Sequence, residues 1–201
     1  MTTRRRLFEM STPAAKELAE LRAVANDIMF ANRCCFRLDK LLLEPEEKRD
    51  DTILRALWSA ALVSYFRCFS GGKRLALRAE ILKELPGEPL EFHAQLNEIR
   101  NKHIAHSVNV QEEMTVAVDV QPGAGIGVVQ LTRMEIGPNA EMNRLMGQAT
   151  AFIAHKLDAQ IQEKVDIVVA EFEAMTPEAR AFLKELTFQV HGVEGASRVR
   201  E

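Results

Sequence analysis

Ser11–Glu47 reads STPAAKELAELRAVANDIMFANRCCFRLDKLLLEPEE. Thr12 can cap free amides, and Pro13, with no amide proton to leave unsatisfied, suits a first helical position. No glycine or proline follows until Pro45. Leu18, Leu21, Ala25, Ile28, Asn32, Cys35 and Leu42 recur at helical spacing, so at ~100° per residue they fall close to one stripe. The segment predicts a long helix with one buried face, ended by the acidic turn Glu44-Pro45-Glu46-Glu47. Such a stripe is stable only against other helices, so the fold depends on whether the rest of the chain repeats the pattern.

Most of it does. A second helix is expected from about Asp50 to Phe69, with Ile53, Leu57, Ala60, Ala61, Ser64 and Cys68 inward and Gly71-Gly72 as its stop. Lys73 to Leu85 reads as a third, shorter helix broken at Pro86-Gly87, and Pro89 to His106 as a fourth, on the spacing of Phe92, Leu96, Ile99, His103 and His106. A long helix follows from about Pro138 to Met175, with Met142, Leu145, Ala149, Phe152, Lys156, Val165, Val168 and Phe172 as its stripe. Thr176-Pro177 caps a last helix to about Phe188. Between the fourth and fifth helices, Thr115–Val120 and Ile126–Thr132 are β-forming and flank the turn-rich Gln121–Gly125. They predict a β-hairpin at about 114–132, packed on the bundle through Val116, Val118, Val120, Val128 and Val129, because a lone hairpin is marginal. The fold class is therefore mainly α: a helical bundle with one inserted hairpin, read as a single domain over 1–192 with a flexible tail at 193–201.

Composition narrows the function classes. The 201 residues are 47% hydrophobic and 27% charged, which suits one sizeable core. No apolar run approaches the ~20 residues of a membrane span, since Ala56–Phe66 is short and interrupted by Ser59 and Ser64. The basic start Arg4-Arg5-Arg6 precedes an apolar run too short for a signal peptide, so a cytoplasmic location is expected. Cys34, Cys35 and Cys68 form neither an even disulfide set nor a CxxC pair and read as reduced core residues. A net charge of −3 argues against coating nucleic acid nonspecifically, although a local basic groove is compatible with it.

The fourth helix carries the most informative segment. Phe92, Leu96 and Ile99 point one way, His103 and His106 continue that direction, and Arg100 lies on its flank. The stripe turns from apolar to ionisable. An isolated charge in a core is too costly, so these groups belong in a recess or an oligomer interface, or else are half-buried and hydrogen-bonded, with Arg100 paired to Glu98, Asp39 or another acid.

Arg100-Asn101-Lys102-His103-Ile104-Ala105-His106 resembles the R-x(4-6)-H motif of HEPN-domain proteins, with five residues between Arg100 and His106 and a polar residue, Asn101, after the arginine. The order of long helices with the motif near the end of a later one is also similar, over about Ala14 to Phe172, and the abortive-infection branch of the superfamily is the nearest in character. The hairpin is a departure from the family pattern. The resemblance implies an up-and-down four-helix core plus an extra helix, pairing as a homodimer so that two motifs face each other across a groove. It implies a metal-independent endoribonuclease of toxin or phage-defence type, with RNA as partner, no cofactor and, for a toxin, a cognate antitoxin. Arg100 would bind and stabilise the phosphate, His106 would transfer protons, and Asn101 would orient the arginine or the RNA. His103 is a second imidazole beside them, without family warrant. Many HEPN domains instead serve as noncatalytic dimerisation or nucleotide-binding modules, which is the alternative reading.

Weaker signals complete the inventory. Lys102, Arg67, Lys73 and Arg74 could hold RNA phosphates, with Arg78 and Lys83 nearby in sequence and Tyr65, Phe66 and Phe69 interleaved; the same residues also read as a solvated basic face over core aromatics. Gly123, Gly125 and Gly127 lack a following Walker lysine and read as a hairpin turn. His93, His103 and His106 lack a cysteine or acidic partner at metal-ligand spacing, so no metal site is expected.

Overall fold

The computed structural model describes residues 6–72, 74–101, 112–121, 125–134 and 138–186, and it is mainly helical. Among them are α1 (Pro13–Leu42), α2 (Asp51–Arg67), α3 (Pro89–Ile99), α4 (Ala140–Ala174) and α5 (Pro177–Ala181), with short 3-10 segments at Glu46–Lys48 and Ala79–Glu84. Two strands, β1 (Glu112–Gln121) and β2 (Gly125–Met134), pair antiparallel with Val118 opposite Val128. The tail at 193–201 lies outside the described residues. Contacts divide the chain into two compact units, one made of Met1–Ala19 with Gln162–Glu201 and the other of Glu20–Ile161.

The larger unit holds most of the core. On α1, Leu21, Val24, Ala25, Ile28, Ala31, Cys35 and Leu38 are buried, close to the expected stripe. Half-buried Asn32 reaches α4, its Nδ2 donating to Gly147 O (3.1 Å) and Thr150 Oγ1 (3.0 Å). On α2 the buried face is rotated from expectation: Leu54, Trp58, Leu62 and Tyr65 are inward with Ala61, Ser64 and Cys68, whereas Ile53 is exposed. The sequence there is apolar almost all round, so periodicity underdetermines the face, and the bulkiest side chains take the interior.

The buried face of α4 is likewise one residue further on than expected, running Asn143, Met146, Ala149, Thr150, Ile153, Leu157 and Ile161. Ala149 alone belongs to both stripes. Asn143 and Thr150 are fully buried because each has hydrogen-bond partners, which a hydrophobic pattern cannot show. Lys156, assigned inward, instead lies on the flank, its Nζ 2.6 Å from Glu84.

Two helix expectations are corrected, and the hairpin valines are placed in part. Lys73–Leu85 is not one helix: Arg74–Arg78 is non-helical, and only the 3-10 segment Ala79–Glu84 follows. Leu77 N donates to Cys68 O at 2.7 Å, which turns the chain back on the end of α2 and takes that amide out of any helical ladder. Gly72, at φ 152°, supplies a backbone angle that other residues rarely adopt. Val116 and Val118, expected to pack on the bundle, expose 69% and 60% of their surface in the single chain, and the side chains of Val120, Val128 and Val129 lie outside the described ones. The last helix ends at Ala181, not Phe188, because the next residues pair with the N-terminal segment. In that smaller unit Glu9 N donates to Lys184 O (2.9 Å), Leu186 N donates to Leu7 O (2.8 Å), and Arg6 pairs with Glu185. Thr12 and Thr176 cap α1 and α5 as expected, accepting from Ala15 N and Ala179 N, both at 3.2 Å.

Candidate functional site

α3 is built to carry a polar end. Pro89 stands at its start, where a missing amide proton costs nothing, and fully buried Leu96 anchors its inner face. Arg100 caps the helix with its backbone still in the right-handed helical region, its N–H shared between the carbonyls of Leu96 and Asn97.

Arg100 is half-buried. Its Nη1 donates to Asn101 Oδ1 at 2.8 Å, while Asn101 Nδ2 lies 3.5 Å from Asn97 Oδ1 one turn back. The asparagine thus ties the guanidinium to the helix end, restricting a side chain that otherwise has many rotamers. Lys102, His103 and His106 lie outside the described residues, as does Lys73.

The other basic candidates are engaged. Arg67 and Arg74 converge on one carboxylate, with Nη2 of Arg67 3.6 Å and Nη1 of Arg74 3.3 Å from Asp27 Oδ2. Asp27 is the best shielded of the three, so the cluster is an ion-pair triad with one cation in excess over its carboxylate. Of the glycines, Gly125 and Gly127 lie in β2, opposite Gln121 and Asp119.

His93 has a different setting from a metal ligand. Its ring sits among Tyr65, Phe66 and Phe69, with centroids 4.6–5.6 Å away, and Nδ1 is 2.9 Å from the Tyr65 hydroxyl. Burial lowers its pKa, which favours the neutral ring, and burial likewise raises that of Tyr65. The sequence signal for this cluster is the aromatic spacing at Tyr65, Phe66 and Phe69, which by itself shows only aromatics interleaved with basic residues or buried in the core. Among the described residues no group of three His, Cys, Asp or Glu could hold a metal ion, and no helix is long and apolar enough to cross a membrane.

One feature escaped the sequence reading. A cleft of about 310 Å³ lies between the first two turns of α3 and one face of α4, closed below by the 82–88 segment and Tyr65. Leu82, Leu85, Phe92, Leu145 and Ala149 give it apolar walls, and Glu88, Glu91, Gln95 and Gln148 supply its polar groups. It is assembled from three separated segments and a non-helical connection, which no single periodicity reveals.

Comparisons with protein-family models, curated proteins and solved structures return no match.

Proposed function

We propose that the chain is a metal-independent endoribonuclease of HEPN type that cleaves RNA by attack of the substrate's own 2′-OH. The observation that carries the reading is Arg100 at the end of α3, half-buried and held by Asn101, in the Arg100-Asn101…His106 sequence that resembles the superfamily motif. Because the nucleophile belongs to the RNA, the protein has to supply proton transfer and a positive donor for the pentacoordinate phosphate. Arg100 has a planar fork that matches phosphate oxygens, and fixing it beforehand reduces reorganisation as charge develops. Proton transfer falls to His106, a residue type whose ordinary range suits that task. Asn101 is the positioning residue for Arg100. An HEPN-like up-and-down arrangement, a homodimer pairing two motifs and use as a toxin with a cognate antitoxin belong to the same proposal.

The test is cleavage of structured and unstructured RNA in excess chelator. Arg100→Ala is expected to slow it by ~10²–10³ and His106→Ala by ~10²–10⁴, with melting temperatures near that of the parent. Asn101→Ala is expected to lower kcat more than it raises KM, since it loosens the arginine without removing it. Full activity of His106→Ala, a strict metal requirement, or cleavage of DNA would overturn the mechanism. Failure to cut any RNA would leave the noncatalytic dimerisation or nucleotide-binding module.

A further inference from the structure

The cleft between α3 and α4 has a chemistry unlike that of an RNA site. Its walls are aliphatic and aromatic, and two carboxylates, Glu88 and Glu91, are among its lining residues, whereas no lysine or arginine is. Glu91 accepts from Gln95 Nε2 at 3.3 Å through Oε1, and Glu88 makes no capping hydrogen bond to α3. A volume of about 310 Å³ is at the small end of the range for ligand pockets and suits a ring-sized body.

We propose that this cleft binds a small organic cation with an apolar body, an arylalkylamine being the class that fits. Leu82, Leu85 and Leu145 remove the ring from water, and the ammonium meets Glu91 at the wetter side. Phosphate esters and carboxylates fit less well, because the lining brings two carboxylates and no lysine or arginine, leaving only the amides at the start of α3 to meet a negative charge. The proposal rests on the cleft alone and is independent of the ribonuclease reading.

The experiment titrates the full chain with 2-phenylethylamine and, separately, with 3-phenylpropionate, which has a similar ring and the opposite charge, following the side-chain amide signals of Gln95 and Gln148 by NMR. The amine is expected to shift both signals saturably and the carboxylate to shift neither. Glu91→Gln should weaken the amine about tenfold, the usual order for losing a charge-assisted contact. Gln148→Trp, which sets a bulky ring on the solvent-exposed part of the lining, should abolish the shift at Gln95 while leaving the circular dichroism unchanged. Equal binding of amine and carboxylate, no saturable shift up to the amine's solubility limit, or undiminished binding to Glu91→Gln would each overturn the proposal.

Discussion

Asn143 offers the sharpest test of how α1 and α4 are held together. It is fully buried on α4, and its Nδ2 donates to two acceptors of α1, Cys35 O at 2.9 Å and Asp39 Oδ1 at 2.5 Å. Its Oδ1 is buried without a partner. Turning the amide over would set Oδ1 against two acceptors, so the donors fix the orientation. Asn143→Ala removes one hydrogen bond to a charged acceptor and one to a neutral one, worth about 1.5–3 and about 1 kcal/mol. It also removes the unpartnered Oδ1, whose burial costs about 1–3 kcal/mol, so the net loss is expected near 1–2 kcal/mol. At ~2–4 °C per kcal/mol for a chain of this size, the melting temperature should fall by about 2–8 °C. Asn143→Asp has nearly the same shape but replaces the donors with a second carboxylate facing Asp39 Oδ1. It should therefore be less stable than Asn143→Ala, by about 2 kcal/mol or more at neutral pH. Urea unfolding followed through the fluorescence of Trp58, the one tryptophan and a buried residue of α2, measures the series. An Asn143→Asp protein as stable as the alanine variant would refute the reasoning, because it would mean that a buried carboxylate set against Asp39 Oδ1 and Cys35 O costs nothing.

Three further outcomes are expected. His93, whose pKa burial depresses, resists protonation in the folded state, so stability should fall as pH drops through the unfolded-state value of ~6.5 and should not depend on this group well above it; His93→Phe should flatten that limb in urea midpoints compared at about pH 7.5 and about pH 5.5. Asp27→Asn should cost about 1 kcal/mol or less, since its arginine partners keep 53% and 37% of their side-chain surface in water, and should tighten single-stranded RNA by freeing Arg67 and Arg74 for phosphates; unchanged affinity in a filter-binding assay would remove both from the RNA interface. Burial pushes the Cys35 and Cys68 thiols up to about 12, so both should react with a disulfide reagent only as fast as the protein opens, and immediate reaction of either would contradict its placement in the core.

The long helices were legible because α1 and α4 have the signals that act locally: Thr12-Pro13 at one start and an unbroken run free of proline over each. Which side faces inward was harder to read. On α4 two polar residues, Asn143 and Thr150, occupy core positions because α1 and the preceding turn supply their partners, and hydropathy assigns such residues outward. On α2 nearly every side is apolar, so the decision falls to the shape of Trp58 and Tyr65 against their neighbours. The segment after Gly72 failed as a helix for a tertiary reason, the return of Leu77 to the Cys68 carbonyl and of Arg74 to Asp27. The site divides in the same way. Arg100 and Asn101 were legible as a short motif, and their mutual hydrogen bond follows from adjacency at the end of a helix. The cleft and the His93 cage were not, since each joins residues from elements far apart in the sequence.

Under the proposed mechanism the ends of the RNA products report directly on the bond that breaks. In-line attack by the 2′-OH leaves a 2′,3′-cyclic phosphate on the upstream fragment and a 5′-hydroxyl on the downstream one. Mass spectrometry of RNA digested in excess chelator is expected to show those ends, and a single 2′-deoxy substitution at the mapped position is expected to block that cut while leaving other cuts intact. Products ending in a 3′-hydroxyl and a 5′-phosphate, or an undiminished cut at the deoxy position, would rule out attack by the 2′-OH.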